Sequence, residues 1–207
     1  GVYHGDQGLL MTKKLVTELR KRCLINKQCS IHTHLGGVDF NKENVVLMYD
    51  IFQNLQDELL QIMPMSRRNN EYCRLLPKVK IDIEALMSDK RSYFIDLWYN
   101  EIIKFLSSKD YSGKYINKKK QHPKGAKCGY DHSTARYSWV NFIPSVFDTR
   151  ENGIYTIEFR LMSATTNYSK VKNWLLICFA LVDIVENHKN KIYDLDEQYK
   201  KCFQYQG

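Results

Sequence analysis

The fold is decided by the stretch Ile31-His32-Thr33-His34-Leu35-Gly36-Gly37, which sets two imidazoles two residues apart in an apolar, β-branched run. This alternation predicts a β-strand, because successive side chains of a strand point to opposite faces. The apolar set then faces a core, whereas His32 and His34 project together from the other face. The Gly36-Gly37 pair allows close approach of the backbone, as the rim of a pocket often requires. The histidines either share a ligand or lie on a solvated sheet face, and the spacing alone does not decide between these interpretations.

The composition predicts one globular domain with a substantial core. The chain has 207 residues, of which 43% are hydrophobic and 26% charged, and this suits a single domain over residues 1–207. Six scattered cysteines without a C-x-x-C pair predict reduced thiols in a cytoplasmic protein. No apolar run reaches the roughly 18 residues of a membrane span, so no membrane contact is expected. The net charge of +8 suggests an anionic partner, but a charge of this size does not distinguish nucleic acid from ATP, an acidic peptide or simple solubility.

Several helical patterns surround the histidine strand. The opening residues 1–8 have no initiator Met and are too Gly-rich for us to expect a regular element there, so we expect the chain to begin inside a longer parent. From Thr12, a candidate N-cap, apolar spacing predicts an amphipathic helix to about Asn26. A longer helix is expected between a cap at Asn41 and a stop at Pro64. Further helices are predicted near residues 81–87, over residues 93–106, and after a cap at Asn167 or Ser169.

Two cation-rich segments are candidates for binding an anion. Arg67 lies in the polar stretch 65–74, which either holds an anion or is a solvated linker. Residues 109–136 carry eight basic and two acidic residues, a net charge of +6, and a loop of this length is typical of a lid or a flexible excursion. Lys124 and Lys127 in this loop are expected to contact phosphate or an acidic substrate. Its zinc-type residues match no standard ligand spacing; they are His122, Cys128 and His132.

Two strands are predicted after the basic segment, over residues 137–143 and 154–162, and they are expected to pair as antiparallel neighbours. Alternation along the second strand places Glu158 and Arg160 on one face and Ile157 and Phe159 on the other. The charged pair is either a solvated ion pair or part of a site. The apolar character of the rest of the strand favours a site.

The order of these motifs resembles the amidoligase family, the carboxylate–amine ligases of glutamine synthetase-like fold. The similarity covers about residues 10–188 and is carried by the succession of motifs more than by any one of them. The motifs are residues 31–36, 67–73, 136–141, 156–160, 165–167 and 171–174.

The resemblance implies an α+β fold in which helices flank an antiparallel sheet, with ATP and Mg²⁺ on the concave face. It also implies phosphorylation of a peptide or small-molecule carboxylate by ATP, followed by attack of an amine on the acyl phosphate. Glu158 and His32 would be metal ligands, and His34 would join the nucleotide site and the catalysis. By the same resemblance, the remaining residues would contact phosphate, carboxylate or nucleotide; they are Arg67, Arg136, Arg160, Asn141, Lys124 and Lys127.

The chain departs from the family pattern at its start. The family's first strand carries closely spaced glutamates, and nothing before Leu15 is similar to it. Glu158 is left as the only carboxylate ligand, which is few for phosphate-bound cations. Three explanations stay open: a longer parent, a second chain that supplies the strand, or a scaffold that has lost activity. In the last case the basic loop, with Tyr111, Tyr115 and Tyr130 interleaved, predicts a nucleic-acid-binding or assembly protein.

Overall fold

A small antiparallel sheet packed against helices forms the part of the chain that the structure describes. The computed structural model describes residues 4–26, 29–68, 70–82, 84–107, 134–147 and 155–204. Its elements are α1 (Gly5–Arg22), β1 (Ser30–Leu35), α2 (Lys42–Gln61), α3 (Met65–Arg68), α4 (Arg91–Ser107), β2 (Val140–Asn141), α5 (Ile143–Val146), β3 (Ile157–Ser163) and α6 (Tyr168–Gln204), with 3₁₀ turns at Glu84–Met87 and Thr134–Tyr137. The predicted α+β class with an antiparallel sheet is therefore confirmed.

The three strands lie in the order β1-β3-β2, so β3 is central, and both of its pairings are antiparallel. Glu158 of β3 lies between His34 of β1 and Asn141 of β2. The register between β1 and β3 shifts by one residue near His32, where two residues of β3 oppose a single residue of β1. Such a bulge re-aims side chains and is frequent next to functional sites.

Aromatic side chains fill the space between the sheet and α2. Phe159 of β3 is fully buried, and its ring centroid lies 5.8 Å from that of Phe52 and 6.3 Å from that of Trp139. Phe52 also contacts Phe142, at 5.9 Å between centroids. Aromatic pairs at such distances add roughly 0.5–1.5 kcal/mol each to the stabilisation from burial. The apolar face of β3 is thus fixed by packing, as the alternation predicted.

The helix starts show one correction and one confirmation. α1 begins at Gly5, so the expectation that the Gly-rich opening forms no regular element is wrong. Thr12 is not an N-cap, because it lies inside α1 and its hydroxyl donates to the Gly8 carbonyl. At α2 the predicted cap is confirmed: the Asn41 side chain accepts a hydrogen bond from the Asn44 backbone at 2.9 Å.

The predicted strand over residues 137–143 is shorter than expected. Only Val140–Asn141 pair with β3, because Tyr137 ends a 3₁₀ turn and Pro144 lies in the first turn of α5, where its missing N–H costs little. The backbone before β2 forms hydrogen bonds with a segment other than β3: the Trp139 N–H donates to the Arg74 carbonyl at 2.9 Å. The pattern at residues 81–87 likewise gives a 3₁₀ turn at Glu84–Met87 in place of a full helix.

Two predictions from composition can be compared with the structure. The cysteines that it describes carry free thiols, as expected; these are Cys23, Cys29, Cys73 and Cys178. Within the residues described, no helix combines the length and the apolar character needed to cross a membrane.

Candidate functional site

Polar side chains from all three strands meet on the face of the sheet opposite the aromatic core. Directly paired residues of neighbouring strands present their side chains on the same face. The pairing of His34, Glu158 and Asn141 therefore aligns an imidazole, a carboxylate and an amide across the sheet. His32 lies two residues before His34 on β1 and joins the same face. We call His32, His34, Asn141, Glu158 and Arg160 the Glu158 cluster.

Glu158 is the centre of this cluster and is only 5% exposed. Its Oε1 accepts from His32 Nδ1 at 2.8 Å and from an Arg160 terminal nitrogen at 2.9 Å. The Nε2 atom of His34 lies 3.6 Å from the same oxygen. Its Oε2 accepts from the Asn141 amide at 2.7 Å. A buried carboxylate requires such donors, because an unpaired charge away from water is very costly.

These contacts determine the protonation state of Glu158. Burial by itself would raise the pKa of this carboxyl. The hydrogen bonds from His32 and Asn141 and the electrostatic interactions with Arg160 and His34 outweigh burial and lower the pKa of Glu158 to about 2. Glu158 is therefore ionised near neutral pH, as a residue that binds a cation or orients an imidazole must be.

The two histidines differ in their second contacts. His32 donates from Nδ1 to a carboxylate, which only accepts, and its Nε2 lies 3.0 Å from the Ser30 hydroxyl. In His34, Nδ1 lies 3.4 Å from the hydroxyl of Thr156. Both histidine side chains are about one-third exposed, at 35% and 36%. Their rings are thus oriented by the protein and still open to a ligand.

Two arginines contact the ring of Tyr137 beside the cluster. The guanidinium carbon of Arg136 lies 5.5 Å from the ring centroid and that of Arg160 lies 5.9 Å from it. The Nε of Arg160 is buried and has no hydrogen-bond partner among the described residues. A buried donor without an acceptor is uncommon in folded proteins. An anion bound here would supply that acceptor after a small shift of the side chain.

Arg67 lies at the other end of β3. It is 4% exposed and donates to the Ser163 hydroxyl at 3.1 Å, to the Cys29 carbonyl at 2.7 Å and to the Cys73 sulfur at 3.8 Å. These contacts join α3 to the ends of β1 and β3. They do not include Glu158, so the structure does not bring Arg67 into the cluster, and its contact with phosphate stays a prediction.

The remaining candidates from the basic segment lie outside the described residues. This holds for Lys124, Lys127 and the zinc-type residues, and for the part of the expected lid over 109–133. Arg136, at the end of that segment, is described and lies in the 3₁₀ turn next to Tyr137.

The arrangement can be compared with the needs of Mg²⁺ and ATP. The described residues hold no group of three His, Cys, Asp or Glu side chains that could by itself bind a metal ion. Mg²⁺ bound to a nucleotide, however, often takes only one or two carboxylates, with phosphates and waters as its other ligands. Ionised Glu158 could serve as the single carboxylate ligand if His32 and Arg160 gave up their hydrogen bonds to its Oε1 atom. The two arginines and the unpaired Nε fit an anion such as a phosphate.

Sequence reasoning assigned no role to Tyr137 or Ser30, although both touch the cluster. The ring of Tyr137 contacts the guanidinium groups of Arg136 and Arg160, and the Ser30 hydroxyl contacts His32 Nε2. The available signal for Tyr137 was its place between Arg136 and the polar strand β2. Ser30 carried a weaker signal, since it precedes His32 by two residues on the same strand and so shares its face.

Comparison with known proteins gives one match. A family model described as "Putative amidoligase enzyme" matches residues 2–182, which is most of the chain. Neither the curated proteins nor the solved structures gave a significant match.

Proposed function

The chain belongs to the amidoligase family, and from this premise we propose that it is an ATP-dependent ligase that joins a carboxylate to an amine. The observation that supports the proposal most is the Glu158 cluster. A carboxylate held ionised on a sheet face by two histidines, an amide and an arginine is a preorganised polar site. A pair of surface charges would not need so many partners.

The proposed reaction has two steps. An oxygen of the substrate carboxylate attacks the γ-phosphorus of ATP, the bond to the bridging oxygen breaks, and ADP leaves. The amine nitrogen then attacks the carbonyl carbon of the acyl phosphate, and inorganic phosphate leaves with the electrons of the C–O bond. The nitrogen loses a proton, and an amide or isopeptide bond remains. Both steps depend mainly on positioning and on neutralising the phosphate oxygens.

In this proposal the arginines bind the anionic groups of the substrates. Arg160 offers its unpaired Nε, and the Arg136 guanidinium lies over the same Tyr137 ring as that of Arg160. Planar guanidinium groups donate along two parallel bonds, which matches carboxylate and phosphate oxygens. Asn141 and His32 hold the Glu158 carboxylate in place. Arg67 would act on the anions only if its present protein contacts were exchanged.

We assign His34 as the base that accepts the proton lost by the amine. Its ring is about one-third exposed, and its Nε2 lies 3.6 Å from Glu158 Oε1. Imidazole accepts a proton efficiently near neutral pH. Mg²⁺, when bound, would supply positive charge to the ATP phosphates, and Glu158 is the residue that would hold it.

The test is turnover of ATP by the purified protein with pools of carboxylates and amines. We expect ADP release that requires both pools, and a drop of at least about tenfold in kcat/KM in Arg136→Gln, because a charged hydrogen bond to substrate is lost. Arg68→Gln is the matched control, since Arg68 contacts only the carbonyls of Met63 and Gln61 in the bonds described. ADP release without dependence on either pool, or equal losses in both variants, contradicts the proposal.

The alternative is an inactive scaffold that binds nucleic acid or serves in assembly through the basic loop. Its main motivation, residues 109–133, lies outside the described residues, so the structure adds no support to it. The same preparation separates the two functions. Affinity for single-stranded nucleic acid that falls steeply with log salt and survives Glu158→Ala, together with absent ATP turnover, favours the alternative.

A further inference from the structure

The Arg160 guanidinium has one donor in use beside Glu158 and another that is not in use. A terminal nitrogen donates to Glu158 Oε1 at 2.9 Å, and the Arg160 side chain is 11% exposed. Its Nε is buried and has no hydrogen-bond partner among the described residues. A guanidinium offers several N–H donors in a rigid fork, and a buried donor without an acceptor is costly. Arg160 therefore has the capacity to hold a second acceptor in addition to Glu158.

The charges near Arg160 favour an anion as that second acceptor. The guanidinium carbons of Arg136 and Arg160 lie 5.5 and 5.9 Å from the centroid of the Tyr137 ring. Two positive charges that contact one ring repel each other, and a negative charge at Nε would attract both of them. A neutral acceptor would satisfy Nε and leave that repulsion in place. Oxyanions such as phosphate are well suited to guanidinium donors, because they accept along two parallel bonds.

Glu158 competes with such an anion for Arg160. Burial raises the pKa of Glu158, but its hydrogen bonds lower this pKa to about 2, so the carboxylate is ionised near neutral pH. Two negative charges on one guanidinium repel each other, and each weakens the hold of the other. Glu158 Oε1 also accepts from His32 at 2.8 Å, so it keeps a donor when Arg160 moves towards an anion. The folded chain by itself therefore disfavours an anion at Arg160.

We propose that Arg160 makes this site selective for an oxyanion and a divalent cation that bind as a pair. A cation on Glu158 neutralises the carboxylate and replaces Arg160 there, and Arg160 then gives its charge to the oxyanion. Each ion alone meets an opposing charge, since the anion meets Glu158 and the cation meets Arg160. The inference rests on the proposed ligase function only for the identity of the pair as Mg²⁺ and a nucleotide phosphate.

The first test is calorimetric titration of the full chain with inorganic phosphate, with and without Mg²⁺. Mg²⁺ should lower the Kd of phosphate at least about fivefold, a usual size for coupling between two sites. Glu158→Gln removes the competing charge, so phosphate should bind this variant at least about fivefold more tightly without Mg²⁺, and Mg²⁺ should not strengthen it further. Association of Mg²⁺ with phosphate in solution is the same for both proteins and cancels in the comparison.

Glu43→Gln is the matched control, because Glu43 pairs with Arg91 and both side chains are about one-fifth exposed. It removes the same charge from a different arginine, so the phosphate Kd and the effect of Mg²⁺ should stay as in the unchanged chain. Equal strengthening of phosphate binding by Glu43→Gln and Glu158→Gln would reduce the effect to net charge and overturn the proposal. A phosphate Kd that Mg²⁺ does not lower in the unchanged chain would overturn it as well.

Arg160→Gln gives a second test, which does not require Glu158→Gln to fold. Loss of the guanidinium should weaken phosphate binding at least about tenfold, and it should strengthen the binding of Mg²⁺ alone, because the cation no longer competes for Glu158. Weaker binding of both ions would give Arg160 a purely structural role and refute the sharing.

NMR of the arginine Nε–H groups locates the phosphate. Addition of phosphate with Mg²⁺ should shift one Nε–H signal of the unchanged chain, and this signal should be missing from the spectrum of Arg160→Gln. A shifted signal that persists in Arg160→Gln would place the phosphate on another arginine and reject the site.

Ion binding and turnover separate this inference from the proposed function. Coupled binding of phosphate and Mg²⁺ without ATP turnover would keep the paired-ion site and reject the ligase. ATP turnover by a chain that binds the two ions independently would keep the ligase and reject the sharing of Arg160.

Discussion

The two faces of β3 bury their side chains to a similar degree and by different means. Phe159 is fully buried among aromatic rings, whereas its neighbour Glu158 is 5% exposed and is held by hydrogen bonds and ion pairs. Apolar packing is non-directional and tolerates small shifts in its partners. The contacts of a carboxylate depend on angle, distance and protonation. The apolar face therefore determines stability, and the polar face is where chemistry and dependence on pH are expected.

The largest expected effect is on the apolar face. Phe159→Ala should lower the free energy of unfolding by about 3–5 kcal/mol, because it removes a buried ring and leaves a cavity against Phe52 and Trp139. The measurement is urea denaturation followed by tryptophan fluorescence. Phe179→Ala is the control, since Phe179 is 44% exposed on α6 and should change stability by less than about 1 kcal/mol. Similar losses for both variants would show that the aromatic cluster is not the core.

The next effect is on the polar face and depends on pH. The pKa of Glu158 is lowered from 4.5 to about 2, so its ionised form stabilises the folded state above pH 4.5, and this contribution is lost as the pH falls toward 2. Glu158→Gln should therefore cost up to about 3 kcal/mol near neutral pH, and the difference from the unchanged protein should shrink in acid. The measurement is urea denaturation at about pH 7 and at about pH 2.5.

The control for this prediction is Glu18→Gln. Glu18 pairs with Lys21 on the exposed surface of α1, where an ion pair contributes little. A Glu158→Gln variant whose stability relative to the unchanged protein is the same at both pH values would mean that the carboxylate is not ionised in its cluster. The contrast between the two faces would then reduce to a difference in side-chain size.

The two faces also differ in how far the sequence predicted them. Alternation along Ile157–Ser163 placed Phe159 in the core and Glu158 on the other face, and the structure agrees. Alternation predicts the sheet face on which a side chain lies, but it does not predict which other residues pack over that face and bury the side chain. The burial of Glu158 arises from contacts between residues that are distant in sequence, above all His32 and Asn141. A local pattern carries no information on such contacts.

The errors in the strand and helix boundaries have local physical causes. The apolar, aromatic run of residues 137–143 has high β-propensity, yet the 3₁₀ turn before β2 and the helix α5, with Pro144 in its first turn, limit the strand to two residues. The start of α1 was placed too late because glycine is a poor helix former in general. At Gly5, the first residue of α1, φ is +50°, a value that glycine adopts without strain. The register shift between β1 and β3 opposite His32 could not be predicted, because no residue type in either strand marks it.

The smallest expected effect concerns the orientation of His32. Its Nδ1 donates to Glu158 and its Nε2 lies near the exposed Ser30 hydroxyl. Ser30→Ala should change the free energy of unfolding by less than about 0.5 kcal/mol, because water replaces an exposed hydrogen bond at little cost. If the carboxylate orients the ring, the neutral imidazole keeps its proton on Nδ1 in Ser30→Ala and loses this preference in Glu158→Gln. Nitrogen NMR of the histidine ring distinguishes the two tautomers. A tautomer that changes in Ser30→Ala and persists in Glu158→Gln would make the hydroxyl the orienting group, and the polar face would then not be organised around Glu158.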